Sequence, residues 1–243
     1  MNTKLYILTV TKNDLSGLKK TVNSIENLNS NIKIIHIIKN AKKDISSRYI
    51  EKLNKSEVER ILVDNKDSGI YDGMNQAMEY VPNGQMFIFI NSGDIMRGII
   101  NADFKENYYL LDAYLNLKKS NSNKKIKIKK GYIDGMPFNH QSLISRKQNN
   151  MLFDCSFKIS ADYLFVLQWV SKQYKSPKLI PKLNSAYIIY DGSGISSSKK
   201  LLRDYEAFKA ILFGRNIFSA IVFCIIRFRS LPRYIWHKLG INL

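Results

Sequence analysis

Short apolar runs and amphipathic segments alternate along the first part of the chain. Four runs rich in Ile, Val, Leu and Phe predict strands, and they lie at residues 5–10, 32–40, 58–64 and 85–90. The second run, IKIIHIIKN, is apolar almost throughout, which is typical of a strand buried on both faces of a parallel sheet. The pattern therefore favours a parallel sheet in this part of the chain.

The segments between these runs have apolar residues at helical spacing. Helices are predicted after the first, second and third runs, and the apolar stripes of the first and third helices are Leu18, Val22, Ile25 and Leu28, and Ile70, Met74, Ala77, Met78 and Val81. Strands alternating with helices predict an α/β fold with a Rossmann-like, mostly parallel sheet. Ligands of such sheets bind beyond the carboxyl ends of the strands, where Asn91–Asp94 follow the fourth run.

The pattern is less regular after the fourth run. Residues 107–117 fit either a helix or a strand, and Ile126 and Ile128 alternate with lysines as in an edge strand. A helix is predicted at 161–172. Irregular spacing and two glycines predict a loop at 184–200.

The terminal segment, 196–243, differs from the rest in composition. Its apolar stretch Ile217–Ile226 is shorter than the roughly 20 residues that span a bilayer. Basic and aromatic residues flank this stretch, which fits amphipathic helices lying in a membrane interface. Packing against the core is the alternative. The rest of the chain is taken as one domain with two halves, 1–95 and 96–195.

The charge balance of the chain is strongly basic. A chain of 243 residues with 45% hydrophobic residues is globular rather than disordered. Its 38 Lys and Arg against 20 Asp and Glu give a net charge of +18, which predicts attraction to phosphate groups or anionic lipid. The sequence has no zinc-finger, helix-turn-helix or RNP-like pattern, so a nucleic-acid partner is not predicted.

Two features predict a cytoplasmic protein. Cys155 and Cys224 are too few and too far apart for a disulfide framework or a zinc site, which favours a reducing compartment. The apolar run near the amino terminus is shorter than that of a signal peptide, and no small-residue cleavage site follows it.

Candidate chemistry lies directly after the fourth run. Asn91 and Asp94 provide an amide and a carboxylate oxygen, with Gly93 between them for a tight turn. Mg²⁺ and Mn²⁺ prefer oxygen ligands and often use one or two carboxylates, with phosphate oxygens completing the shell. The same residue types also make ordinary turns, so this tetrapeptide alone leaves both interpretations open.

The segment before the fourth run has a second cluster of polar residues. Asp67, Ser68 and Gly69 lead into a helix whose Asp72 and Asn75 share its polar face. A glycine-containing loop before a helix N-terminus suits a diphosphate. A solvated helix surface is the alternative interpretation.

Together these stretches resemble a known family. GIYDGMNQAM followed by FIFINSGD looks like the family 2 glycosyltransferases of bacterial polysaccharide and O-antigen assembly, whose members often read GIYDAMN and FLNSGD. Upstream, LYILTVTKNDLSGLKKTVNSI is similar to the first strand and helix of that family. Downstream, MPFNHQSLISRK and FDCSFKISADYLFVLQ are similar to its His-Gln and Ala-Asp-Tyr segments. The resemblance covers about the first 170 residues, with four motifs in order.

The resemblance implies a GT-A fold and an inverting sugar transfer from a nucleotide sugar, most often a UDP-sugar, to an acceptor hydroxyl. It makes Asp94 the acid that binds Mn²⁺ or Mg²⁺, with Asn91 where many relatives carry another Asp, and Asp162 the general base. It places Thr9, Val10 and Thr11 in the nucleotide pocket, Asp67 near the base or ribose, and His140 and Gln141 near the donor phosphates or acceptor. Gly69, Asp72 and Asn75 are further substrate candidates from the loop and helix described above, and Arg146 and Lys147, which follow the His-Gln pair, are candidates to add positive charge at the departing diphosphate.

One departure from the family concerns recognition of the base. Relatives usually end the second strand with an Asp-Gly-Gly-Ser-like turn whose Asp binds the base, whereas this chain has Lys39, Asn40, Ala41 and Lys42. Asn40 is left to bind a uracil, or the nucleotide differs. The expected acceptor is a polyprenyl-diphosphate-linked saccharide at the inner face of the cell membrane, with 96–195 as the acceptor half. The alternative is a non-catalytic nucleotide-sugar-binding protein on the same scaffold.

Overall fold

The computed structural model describes residues 4–41, 45–53, 58–117, 122–192 and 199–229. Lys42, Gly194 and those basic and aromatic residues of the terminal segment that follow Arg229 lie outside these ranges. The strands are β1 Leu5–Thr11, β2 Asn29–Ser30, β3 Ile34–Asn40, β4 Glu59–Asp64, β5 Met86–Phe89, β6 Ile95–Ile100, β7 Tyr108–Leu117, β8 Ser122–Lys125, β9 Leu143–Arg146 and β10 Lys182–Asp191.

Six helices pack around these strands in the described part of the chain. They are α1 Leu15–Glu26, α2 Ile45–Glu51, α3 Ile70–Met78, α4, α5 Lys200–Gly214 and α6 Ile217–Arg229. Helix α4 consists of three consecutive parts: an α-helical turn Ala161–Phe165, a π-helical turn Val166–Val170 and a last α-helical turn Ser171–Gln173. Short 3₁₀ turns lie at His140–Ser142 and Pro177–Leu179.

The described strands form one mixed sheet in the order β2-β6-β10-β7-β9-β5-β1-β3-β4, with β8 beside β7. Strands β5, β1, β3 and β4 are parallel neighbours. Every residue of β3 is buried, because helices cover both faces of the sheet at this point. The α/β fold class and the parallel sheet in the first part of the chain are therefore confirmed.

The second half of the sheet continues through an antiparallel strand. β9 pairs antiparallel with β5 on one side and with β7 on the other, and β10 then joins β7 to β6. This arrangement aligns the carboxyl end of β5 with the 3₁₀ turn before β9, and it is the basis of the site described below.

Three local predictions need correction. The predicted loop at 184–200 begins inside β10, a strand whose burial shows no clear alternation and whose pairing with β6 and β7 is non-local. Ile70 is 42% exposed, because it opens α3 on the solvent side, and Tyr71 is buried instead. The edge strand β8 ends before Ile126 and contains only polar residues.

The terminal helices are joined to the core by one face each. α5 buries Ala207, Ala210 and Ile211, and α6 buries Ala220 and Phe223. The outer residues of α6 are large and apolar: Ile217, Phe218, Ile221 and Ile225 are all about half exposed or more, Phe218 reaching 73%. No helix in the described ranges has the length and apolar character needed to cross a bilayer.

Candidate active site

The turn after β5 holds Asp94 in a fixed position. The Asp94 amide donates to Asn91 O at 3.0 Å, and Gly93 takes a φ of +96°, which favours glycine. Thr21 of α1 supports the turn: its hydroxyl donates to Asp94 O at 2.8 Å and accepts from Gly93 N at 3.0 Å. The turn is therefore built against α1 and is not an independent surface loop.

The carboxylate of Asp94 is buried and hydrogen-bonded. Asp94 is 4% exposed. Its Oδ1 accepts from the Asp191 amide at 3.0 Å, and its Oδ2 accepts from the side chain of Gln141. Burial raises the pKa of Asp94 to about 6, although these donors and the nearby His140 lower it. The ionised carboxylate thus lacks full compensation within the protein, so a cation bound there would stabilise it.

Asp162 lies in the first turn of α4. Its Oδ1 accepts from the Tyr163 amide at 2.9 Å and faces the Tyr71 hydroxyl at 3.3 Å. Its Oδ2 is 3.0 Å from Nδ1 of His140. The side chain remains 16% exposed. The carboxylate is therefore oriented by the Tyr163 amide and His140, lies beside the Tyr71 hydroxyl and is still open to an incoming group.

His140 and Gln141 bring the two acids together. These consecutive residues form the 3₁₀ turn before β9, which Asn139 caps by accepting from Gln141 N at 2.8 Å. Gln141 contacts Asp94, and His140 contacts Asp162. Burial lowers the pKa of His140, but the hydrogen bond and charge of Asp162, with the charge of Asp94, raise it overall. Nε2 of His140 is buried and has no partner among the described residues.

The residues around Asp94 fit a divalent cation held largely by phosphate. Oδ1 of Asn91 is a buried acceptor with no partner in the described part of the chain. With Asp94 it provides two hard oxygen ligands. The described ranges hold no group of three or more His, Cys, Asp or Glu arranged for a metal ion. The donor set therefore suits Mg²⁺ or Mn²⁺ only as a shared site with a diphosphate.

A buried ion pair positions Asp67. Lys39 is fully buried, and its ammonium donates to Asn40 O at 2.8 Å, Asn65 O at 2.6 Å and Asp67 Oδ2 at 3.0 Å. Three acceptors satisfy the three donors of the ammonium group. Lys39, which departs from the family pattern, is thus the residue that fixes the loop between β4 and α3.

The predicted nucleotide residues of β1 and β3 differ in accessibility. Thr9 is fully buried, and its hydroxyl donates to Ile90 O at 2.8 Å. Val10 lies against Gly73, which also adjoins Asp67. Thr11 is next to Asn40 in the parallel pairing. Its hydroxyl is buried without a partner in the described ranges. Asn40 is fully buried and donates to Ser47 Oγ at 3.1 Å.

Asp72 and Asn75 contact neighbouring backbone. Oδ2 of Asp72 accepts from Ser68 N at 2.7 Å and Ser68 Oγ at 2.9 Å, which closes the loop around Gly69. Asn75 accepts from Phe153 N at 2.8 Å and donates to Phe153 O at 2.9 Å. Among the described residues, apart from Gly69 and its two neighbours, no atom lies within 4 Å of where a Gly69 Cβ would be. These contacts shape the loop, and a direct substrate role stays a prediction.

The prediction that Arg146 serves the donor phosphates is wrong. Arg146 pairs with Met86 at the amino end of β5, whereas Asp94 follows its carboxyl end. Its guanidinium donates to Gly84 O at 2.8 Å and Phe104 O at 2.6 Å. Lys147 continues past this end, where its amide donates to Gln85 O at 2.8 Å. Because β9 is antiparallel to β5, it carries both residues away from His140.

Four residues of the site were not predicted. Tyr71 lies inside the GIYDG stretch and contacts Asp162, and Lys39 stands at the position of the family's turn. Asp191 is adjacent to Asp94 because β10 pairs with β6. This pairing was not predicted, because 184–200 was predicted to be a loop. Glu206 supports the segment before Asp162 from α5. An acidic residue within an amphipathic helix gives no sequence signal for such a contact.

Comparison with known proteins identifies the fold. No protein-family model and no curated protein matches this sequence. Residues 1–349 of S. aureus TarS in complex with UDP-GlcNAc match with a TM-score of 0.59 and 14% identity, over 99% of this chain and 77% of that chain. Against the longer TarS structure the chain spans 46% of its length.

Two further structures are similar. The mannosyltransferase PcManGT from Pyrobaculum calidifontis, in complex with GDP-Man and Mn²⁺, matches with a TM-score of 0.55 and 10% identity, over 97% of this chain and 79% of that one. GalNAc-T7 with UDP, GalNAc and Mn²⁺ matches with a TM-score of 0.53 and 10% identity, over 78% and 44%. The chain therefore has the GT-A glycosyltransferase fold.

Proposed function

We propose that the protein is an inverting, metal-dependent glycosyltransferase of the family 2 type, which moves a sugar from a UDP-sugar to a hydroxyl of a lipid-linked saccharide. The observation that carries this proposal is that two consecutive residues hold the two acids: Gln141 contacts Asp94, and His140 contacts Asp162. The similar structures that contain UDP-GlcNAc or GDP-Man support a nucleotide-sugar donor.

The two acids have separate tasks in such a transfer. Displacement at the anomeric carbon requires removal of the acceptor proton on one face and neutralisation of the departing diphosphate on the other. Asp162 accepts the proton, because its carboxylate is oriented by the Tyr163 amide and His140, lies beside the Tyr71 hydroxyl and remains accessible. Asp94 and Asn91 would hold Mg²⁺ or Mn²⁺, which supplies positive charge to the diphosphate when bound.

The nucleotide lies at the carboxyl ends of β1 and β3 in this proposal. Thr11 and Asn40 are neighbours there, Val10 lies beside Asp67 against Gly73, and Lys39 holds Asp67 in place. The open space at Gly69 leaves room for the ribose or diphosphate beside the loop that Asp72 closes. Thr9 is fully buried and supports β1 through the hydrogen bond from its hydroxyl to Ile90 O. His140 Nε2, which lacks a partner among the described residues, suits a donor phosphate oxygen.

The acceptor side of the proposal rests on charge and on α6. A net charge of +18 attracts an anionic membrane surface, and the exposed apolar residues of α6 suit its interface. A polyprenyl-diphosphate-linked saccharide at the cytoplasmic face of the membrane would be presented at that surface. Co-sedimentation with anionic vesicles measures this part of the proposal directly.

A transfer assay tests the enzymatic proposal. Nucleotide sugars are screened with a panel of lipid-linked acceptors, with and without Mn²⁺, and the anomeric configuration of the product is determined by NMR. Asp162→Asn is expected to lower kcat by roughly 10²- to 10⁴-fold while UDP binding is retained. Asp94→Ala is expected to lose metal-dependent turnover.

Asp103→Asn is the control, because Asp103 is an exposed carboxylate that pairs only weakly, at 3.6 Å, with Lys105. Wild-type activity in both the Asp94 and Asp162 variants would contradict the assigned roles. A retained anomeric configuration would contradict inversion. Tight UDP-sugar binding without turnover on any acceptor would favour the non-catalytic binding protein.

A further inference from the structure

A buried carboxylate of α5 binds the segment that precedes Asp162. Glu206 is 5% exposed. Its Oε1 accepts from Lys158 N at 2.8 Å, and its Oε2 accepts from Ile159 N at 2.8 Å and Ser160 N at 2.9 Å. Burying a carboxylate is costly unless it is well hydrogen-bonded. Here all three donors come from consecutive backbone amides, so the stabilisation is confined to this short segment.

The same segment is held from its other side by α3. The Tyr71 hydroxyl donates to Ile159 O and also faces Asp162 Oδ1 at 3.3 Å. Ser160 precedes the first residue of α4, and its hydroxyl makes no capping bond within α4 but points to Arg203 O of α5 at 3.4 Å. Residues 158–160 are therefore fixed between α3 and α5 immediately before Asp162.

We propose that Glu206 is a positioning residue for Asp162, so that the C-terminal helix α5 is part of the catalytic apparatus. This inference rests on the proposed role of Asp162 as the base. Glu206 acts by setting the start of α4, which in turn sets the distance of the Asp162 carboxylate from His140 and Tyr71. It touches no residue proposed to bind the nucleotide.

Glu206→Gln in the full-length protein is the principal test. In the glutamine an NH₂ group replaces one carboxylate oxygen and faces a backbone N–H, which is also a donor. At least one hydrogen bond to the backbone of residues 158–160 is therefore lost. We expect kcat to fall at least tenfold while the Kd for UDP stays within twofold. Glu206→Asp keeps the charge but is one methylene shorter, and we expect an intermediate kcat. Asp204→Asn, on the same helix, is the matched control.

A spectroscopic readout separates this inference from the transfer activity. The NMR titration of the His140 imidazole reports its contact with Asp162 whether or not an acceptor is known. We expect its pKa to fall in Glu206→Gln and to stay unchanged in Asp204→Asn. If His140 titrates identically in wild type, Glu206→Gln and Glu206→Asp, the inference is overturned, whatever the activity. If the wild type transfers no sugar but the titration shifts, Glu206 positions Asp162 and only the proposed function fails.

Discussion

His36 is a buried polar residue whose ionisation affects the acid stability of the fold. It is fully buried in β3. The Thr9 hydroxyl donates to Ile90 O, so Nε2 of His36 carries the hydrogen and donates to Thr9 Oγ1 at 2.9 Å. Burial, aided by the charge of Arg60, lowers the pKa of His36 from 6.5 to about 3. The native state therefore holds a neutral imidazole over most of the acid range.

The sign of the pH dependence follows from that lowered pKa. Above pH 6.5 the imidazole is neutral in both states, and below it only the unfolded chain gains the proton until about pH 3. Stability is therefore lost as pH falls, by about 2 kcal/mol between pH 7 and pH 5. His36→Gln keeps a donor towards Thr9 and should reduce the loss by that amount. Urea unfolding of both proteins at the two pH values measures it, and equal losses would contradict the prediction.

The residues of the site differ in how far the sequence predicts them. Asp94, Asp162, His140 and Gln141 lie in motifs, and the structure brings these four together, while their roles remain proposals. Lys39 was considered only as a departure from the family. A lysine after an apolar run gives no indication that its ammonium will be buried against backbone carbonyls from another loop, since that contact depends on tertiary structure.

At the scale of elements, Asn75 joins α3 to the chain before α4. Its amide pairs with both backbone groups of Phe153, in the manner of a strand neighbour. The Phe153 ring packs on Tyr71 at 5.7 Å, Phe89 at 5.5 Å and Phe165 at 4.8 Å between ring centroids. The position of Tyr71 beside Asp162 therefore depends partly on this contact.

Asn75→Ala is expected to destabilise the protein. The substitution removes the partner of the Phe153 N–H and leaves its C=O with only a long contact to Cys155 Sγ at 3.9 Å, which should cost about 2 kcal/mol. Urea unfolding at pH 7 measures the change, and Glu79→Ala, an exposed position after the same helix, is the control. UDP affinity is measured in parallel. A large loss of affinity with unchanged stability would instead support the direct substrate role predicted from the family resemblance.

Helices and strands were predicted correctly from the sequence in the part of the chain where short strands alternate with helices. The run from β1 to β5 meets that condition. Its predicted strands β1, β3, β4 and β5 and the helices between them are confirmed, whereas the two-residue strand β2 was not predicted. β10 was missed because it pairs with β6 and β7, which are distant in sequence, and its exposure varies irregularly along its length. Arg146 was misplaced for a related reason, since the direction of β9 is set by non-local pairing and no short motif encodes it.

At the scale of the whole molecule, the two terminal helices have different relations to the core. α5 is tied to the start of α4 through Glu206, and its inner face is buried. α6 packs through Ala220 and Phe223 but exposes Phe218 by 73% and Ile221 by 49%. In the proposed membrane association, the overall charge of +18 would attract the molecule to an anionic surface, and the exposed apolar face of α6 would select the side that contacts it.

Phe218→Glu is expected to weaken vesicle binding. The substitution removes an apolar side chain worth roughly 1.5–3 kcal/mol on burial and adds a charge that anionic lipid repels, so the partition coefficient should fall at least tenfold. Co-sedimentation with vesicles containing phosphatidylglycerol measures it, and neutral phosphatidylcholine vesicles test the part played by charge. Leu179→Glu is the matched control, since Leu179 is 64% exposed in the turn Pro177–Leu179, which is not part of α6. Equal binding by the two variants would mean that α6 does not contact the bilayer, and lipid binding would then have to rest on charge distributed over the whole molecule.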